Sequence, residues 1–179
     1  MIQTKEYRMK GAIVVKVGRC QGCNTCELAC AVEHSQTRKL AEAIYESPPP
    51  ASRVLVEQGD GFAIPLQCRQ CEDAPCIAVC PTHALNRTDQ NNPVITDHDL
   101  CVGCHACVLA CPFGVIWMDR FSRAIIKCDQ CFERTDKGEM PACVEACPVQ
   151  ALEYKNLDEI TREKRGAFLL TFQHSKDGI

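Results

Sequence analysis

The sequence predicts a small α+β fold in which short helices and small antiparallel sheets repeat around four cysteine groups instead of enclosing one conventional core. Three observations carry that expectation. Sixteen of the 179 residues are cysteine, and all sixteen fall into four tight groups. Short β-branched or apolar runs stand beside these groups, long enough only for small strands. The apolar share is 46% with cysteines counted in, which leaves the ordinary apolar side chains lean for a core of this length.

The elements follow in chain order. Ile13-Val14-Val15-Lys16-Val17 reads as a strand leading into the first group, Cys20, Cys23, Cys26 and Cys30, spaced C-x2-C-x2-C-x3-C. Residues 40–45 read as one or two helical turns, ended by Pro48-Pro49-Pro50. Arg53-Val54-Leu55-Val56-Glu57, the turn Gly59-Asp60-Gly61 and Phe62-Ala63-Ile64 read as a β-hairpin. The second group, Cys68, Cys71, Cys76 and Cys80, is spaced C-x2-C-x4-C-x3-C and followed by Pro81; Glu72-Asp73-Ala74-Pro75 fills its two-residue expansion. Pro93-Val94-Ile95-Thr96 reads as a strand before the third group, Cys101, Cys104, Cys107 and Cys111. Gly114-Val115-Ile116-Trp117-Met118 follows that group, and Ala124-Ile125-Ile126-Lys127 precedes the fourth. The fourth, Cys128, Cys131, Cys143 and Cys147, contains a polar excursion over residues 132–142 and ends in Pro148, with Ala151-Leu152-Glu153-Tyr154 as a closing strand. From Asn156 onward charges alternate around Ala167-Phe168-Leu169-Leu170, which predicts a solvated helix plus a docking strand, with the apolar patch a candidate interface.

The third group reads C-x2-C-x2-C-x3-C-P, the run with which bacterial ferredoxins hold a 4Fe-4S cluster. Three closely spaced thiolates wrap one cube, while the fourth, on a departing helix, points toward a neighbouring cube. The other groups are variations on that run, the first with Ala31 where proline would stand, so the sixteen thiols divide evenly into four sites of four.

Competing chemistries fit less well. The spacing favours close metal-ligand sets over long-range disulfides, and no secretory signal accompanies it. Zinc sites separate their C-x2-C pairs, whereas here a third and a fourth cysteine crowd the first two. Cys101-Val102-Gly103-Cys104-His105 matches the c-type haem attachment signature, yet both cysteines already belong to a complete cluster run. His105 is expected to face outward or to hydrogen-bond near a cluster sulfur.

The formal charge is −3, and four oxidised clusters with their thiolates bring the loaded chain to about −11, so nucleic acid is excluded as a partner. No run approaches the length of a membrane span. Met1-Ile2-Gln3-Thr4-Lys5-Glu6-Tyr7-Arg8-Met9-Lys10 has neither an apolar signal region nor a twin-arginine pair, so a cytoplasmic location is expected, save for export bound to a signal-bearing partner. Outside the cysteines, His34, His83, His98 and His174 read as isolated surface or loop residues, and Glu72 with Asp73, or Asp97 with Asp99, as solvated turn acids; no catalytic residue is assigned. Trp117 is expected in the core or an interface. Lys16, Arg19, Arg69 and Lys127 flank cysteine groups and are candidates to offset cluster charge.

Cys-Glu-Asp-Ala-Pro-Cys at 71–76, Ile-Ile-Lys-Cys-Asp-Gln-Cys at 125–131 and Pro-Ala-Cys-Val-Glu-Ala-Cys-Pro at 141–148 resemble the four-cluster electron-transfer subunits related to the iron–sulfur subunit of dimethyl sulfoxide reductase. The short length and Cys-Ala-Val-Glu-His-Ser at 30–35 are similar, within that group, to the soluble partners of carbon monoxide dehydrogenase, formate dehydrogenase, hydrogenase and tungsten aldehyde oxidoreductase. The resemblance covers about residues 13–154. It implies two interleaved ferredoxin-like halves, an outer one (1–57 plus 121–179) pairing the first run with the fourth and an inner one (58–120) pairing the second with the third. It further implies four 4Fe-4S clusters, held by Cys20, Cys23, Cys26 and Cys147; by Cys128, Cys131, Cys143 and Cys30; by Cys68, Cys71, Cys76 and Cys111; and by Cys101, Cys104, Cys107 and Cys80. The implied function is a relay of single electrons between a catalytic oxidoreductase subunit, a metal or molybdenum/tungsten enzyme, and a second redox protein. A free polyferredoxin without a permanent partner is the alternative.

Overall fold

The computed structural model describes residues 11–89, 92–121 and 124–176; the segment 1–10, read above for export signals, lies outside the described residues. Its strands pair in four two-stranded antiparallel sheets. β1 (Ala12–Val15) lies against β8 (Leu152–Lys155), with Ala12 opposite Lys155 and Val15 opposite Leu152, so the two ends of the cysteine-bearing region are joined. A hydrogen bond from Lys16 N to Ala151 O carries the ladder one step further. β2 (Leu55–Gly59) and β3 (Phe62–Leu66) form the expected hairpin, its turn tightened to Asp60-Gly61, where Gly61 takes the left-handed φ of 77° that a side chain would resist. β4 (Leu85–Asn86) pairs with β5 (Ile95–Thr96), and β6 (Ile116–Met118) with β7 (Ile125–Lys127).

Sheets of two strands are marginal in water unless something packs beneath them. Here that material is partly sulfur. One buried cluster, Ile13, Cys26, Cys30, Val54, Cys128, Cys143 and Leu152, lies under the β1–β8 sheet, and four of its seven members are cysteines. A second, Ala74, Cys76, Leu85, Val94, Cys107, Ile116 and Ile125, is contributed by the strands from β4 to β7 and the helices beside them. Cys68, from the second run, packs against the first cluster and so ties the two together.

The helices are short and positioned by the runs. α1 (Thr25–Glu33) and α2 (Leu40–Ala43) precede the hairpin; α3 (Pro75–Ala78), α4 (Ala106–Ala110), α5 (Phe132–Thr135) and α6 (Ala142–Glu145) follow it. Cys26, Cys76, Cys107 and Cys143, the third cysteine of each run, sit on α1, α3, α4 and α6 and are buried. Pro75, the end of the four-residue insert, serves as the first residue of α3, where a missing N–H costs nothing. The polar excursion of the fourth run begins with α5. Arg134 on that helix ties it to α1 and α6 through Glu33 (2.9 Å) and Glu145.

One residue sets α1 apart. It is 9 residues long, whereas α3, α4 and α6 have 4 or 5. In the other three runs the fourth cysteine precedes Pro81, Pro112 or Pro148, and the residue before a proline is pushed out of helical geometry. Ala31 imposes no such stop, so the helix runs through Cys30 to Glu33 and places His34 beside Cys30. Ala31→Pro is therefore expected to cost about 3 kcal/mol in denaturant unfolding of the iron-loaded chain. A change below about 1 kcal/mol would show that this extra turn carries no weight.

The tail departs from expectation. Instead of a helix plus a docking strand, residues 157–176 form one helix, α7 (Leu157–Lys176). Asn156 and Glu159 cap it reciprocally: Glu159 N donates to Asn156 Oδ1 at 2.8 Å, and Asn156 N donates to Glu159 Oε2 at 3.1 Å. Phe168 and Phe172, one turn apart, meet edge to face at 4.9 Å, a contact that helical spacing provides and an unpaired strand does not. From residue 157 to 172 every residue but Ile160 is exposed.

Candidate metal centres

The four runs share a local shape. The residue just before the second cysteine has positive φ in every one: Gly22 (66°), Gln70 (53°), Gly103 (67°) and Gln130 (58°). This left-handed residue turns the loop tightly and aims backbone amides toward sulfur. Gln70 N donates to Cys68 Sγ and Gln130 N to Cys128 Sγ, each at 3.4 Å. Two further amides, Arg53 N and Ala151 N, approach Cys30 Sγ and Cys147 Sγ at 3.2 Å. Past the fourth cysteine, His83, Gly114 and Gln150 repeat a positive φ three residues on; the first run, still helical there, does not.

The structure gathers thiols from different runs. Cys20, Cys23, Cys26 and Cys147 line one small cavity, roofed by Val56 and Pro65 of the hairpin. Cys68, Cys71, Cys76 and Cys111 line a second, with Val94 in its wall. A third is lined by Cys80, Cys101, Cys104 and Cys107. Cys30, Cys128, Cys131 and Cys143 are all buried, and the charge of Cys30 bears on each of the other three. All sixteen are free thiols.

Burial makes the deeper thiols poor acids, whereas hydrogen bonds from Thr25 hold the exposed Cys23 below the ordinary thiol range. Desolvation pushes Cys26 up to about 11 and Cys131 up to about 12, and it drives Cys128 and Cys143 well above the ordinary range, with neighbouring thiolates adding to the effect. Such groups gather as thiolates only when a strongly positive metal centre displaces their protons. All-sulfur tetrads with amide donors aimed at the sulfur are the ligand set that a 4Fe-4S cluster takes. The residues fit the group.

Sequence reading placed His34 among isolated surface histidines, and the structure corrects this. Its side chain is mostly buried; Nδ1 lies 2.8 Å from Cys30 O and 3.7 Å from Cys30 Sγ, and Nε2 lies 3.3 Å from Asp129. Burial alone would lower its pKa, but the bonds to Asp129 and Cys30 prevail and raise it to about 9. The signal was present as the i, i+4 spacing of Cys30 and His34, legible once α1 is known to continue. His34, Asp129 and Cys131 bring donor atoms within 4.8 Å of one another, a grouping that borders the buried tetrad.

His83, His98 and His105 are exposed, while the His174 side chain lies outside the described residues. Asp97 Oδ1 accepts from Asp99 N and Leu100 N, a turn that feeds the third run. Glu72 and Asp73 are exposed, and Trp117 is half-buried on β6 opposite Ile126. Of the four flanking cations, Lys16 and Arg19 pair with Glu153, Arg69 is exposed, and Lys127 is buried.

Four thiol tetrads on ferredoxin-type loops define an iron–sulfur protein, and comparison with known proteins agrees. Residues 60–157 match the family described as 4Fe-4S dicluster domain. The chain is 42% identical over 153 residues to an iron–sulfur protein of Rhodospirillum rubrum, covering 78% of each of the two. It is 35% identical over 184 residues to the electron transport protein HydN of Escherichia coli K12, covering 92% of this sequence and all of that one (100%). It is also 35% identical over 153 residues to the B subunit of anaerobic dimethyl sulfoxide reductase of the same organism, covering 83% of this sequence and 74% of the relative. The chain thus belongs to the 4Fe-4S dicluster family. Among the described residues, no helix is long and apolar enough to cross a membrane.

Proposed function

We propose that this chain is an electron-relay subunit that holds four 4Fe-4S clusters in a row. The observation that carries the reading is the sorting of sixteen thiols into four tetrads, each combining three cysteines of one run with the fourth of another. The ligand sets are Cys20, Cys23, Cys26 with Cys147; Cys128, Cys131, Cys143 with Cys30; Cys68, Cys71, Cys76 with Cys111; and Cys101, Cys104, Cys107 with Cys80. Their burial is graded in a way that suits a relay. Cys23 and Cys104 are exposed, one in each terminal tetrad, whereas the tetrad of Cys30 is buried throughout. The first two sets share one core, the last two share the other, and Cys68 bridges them.

Crossed ligation divides the chain into an outer half, 1–57 plus 121–179, and an inner half, 58–120, with the β2–β3 hairpin spanning the boundary and covering the first tetrad. A bound 4Fe-4S cluster supplies one-electron chemistry. The chain's own residues ligate it, exclude water from it and aim amides at its sulfurs. Kinship with a subunit of dimethyl sulfoxide reductase supports service to a larger catalytic oxidoreductase, of the carbon monoxide, formate, hydrogen or aldehyde class, with a second redox protein at the other end.

Anaerobically prepared protein is expected to contain about sixteen iron and sixteen sulfide per chain, taken up with four one-electron reductions. Zinc at a comparable level in a reconstituted sample would refute the reading. Because α7 is exposed along most of its length, deleting residues 156–179 is expected to leave the iron content intact.

A further inference from the structure

Lys127 is the one flanking cation that the fold buries, at 4% exposure. Its Nζ donates to Val94 O at 2.7 Å and to Cys128 O at 2.9 Å. Among the described residues both of these acceptors are uncharged carbonyls. A buried ammonium is costly unless some negative charge answers it. The two carbonyls show where that charge lies. Val94 is in the wall of the Cys68, Cys71, Cys76 and Cys111 cavity, and Cys128 belongs to the buried outer tetrad.

A second side chain closes the bridge. Gln70, from the left-handed turn of the second run, donates through Nε2 to the same Cys128 O at 2.8 Å and accepts through Oε1 from Val94 N at 2.8 Å. Lys127, Val94, Gln70 and Cys128 thus form a closed ring of hydrogen bonds between the two tetrads.

We propose that Lys127 is a positioning residue for electron transfer, a fixed cation between the innermost cluster of each half that raises the reduction potential of both. The proposal rests on the ligand sets given above. A 4Fe-4S cluster gains a negative charge on reduction, so a nearby cation in a water-poor setting favours the reduced form. Standing between the two tetrads, it raises both inner steps relative to the terminal clusters.

The test is an anaerobic redox titration followed by electron paramagnetic resonance, on the wild type and on Lys127→Met and Lys127→Gln. Both variants remove the charge, and glutamine retains a donor. Two of the four midpoints are expected to fall in each variant by at least a tenfold change in the reduced-to-oxidised ratio at fixed potential, about 59 mV for one electron, with iron content unchanged and the other two midpoints unmoved. Unchanged midpoints in Lys127→Gln would assign the role to hydrogen bonding and overturn the proposal, as would a uniform shift of all four. Loss of iron from both variants would make Lys127 a strut of the fold and overturn it too. A wild type with markedly fewer than sixteen iron, or without four one-electron steps, would instead overturn the four-cluster reading on which the proposal stands.

Discussion

Cys147→Ser is expected to alter or release the cluster at Cys20, Cys23 and Cys26, with up to about four iron lost, while the centre at Cys128, Cys131 and Cys143 keeps its spectrum. Proximity in sequence argues the reverse, because Cys147 stands four residues after Cys143, just past the short helix α6. Geometry separates them. Cys143 points into the core beneath the β1–β8 sheet, whereas Cys147 lines the cavity of the first run, where Ala151 N donates to its sulfur. Serine replaces a soft thiolate with a harder and less acidic oxygen, so the affected cluster loses affinity or shifts potential. Iron analysis with resonance spectra of each centre reads the result, and a change confined to the Cys128 centre would dismantle the crossed pairing.

Stripping the iron with a chelator under anaerobic conditions is expected to remove most hydrogen-exchange protection from residues 11–155. Four of the seven residues in one buried cluster are cysteines, and no sheet exceeds two strands among the described residues. Such a fold has little to hold it once the sulfurs revert to separate thiols. Retention of native protection in the apoprotein would show that the apolar side chains suffice. The same linkage gives a sign for pH: the iron-bound form carries fewer protons on its thiols than the stripped one, so cluster retention weakens as pH falls.

The cysteine spacing made the run helices legible, and the short apolar runs beside the groups marked most of the strands. β4 was not legible: Leu85–Asn86 is two residues long, too short for alternation, and it becomes a strand only because Ile95–Thr96 lies beside it. Proline is not a ligand, so cysteine spacing gives Ala31 in its place no weight. Its consequence is backbone geometry, a longer α1 that carries His34 to Cys30. The tail's Phe168-Leu169-Leu170 suggested a strand, yet the Asn156–Glu159 cap, a pattern present in the sequence, was the stronger local signal. Lys127 looked equivalent to Lys16, Arg19 and Arg69. Which of four flanking cations is buried depends on packing between halves distant in sequence, and no local pattern encodes that.

The pairing of β1 with β8 bears on the order in which the molecule is made. β5 emerges from the ribosome soon after β4, and β7 soon after β6, so the middle of the chain has its partners while synthesis is still under way. β1 has none until residues 152–155 are released. Cys20, Cys23 and Cys26, among the first thiols synthesised, are thus among the last to be covered, and through that interval they stand open to oxidation and to stray metals. The β1–β8 pairing is thus the last of the four sheet pairings to become available during synthesis.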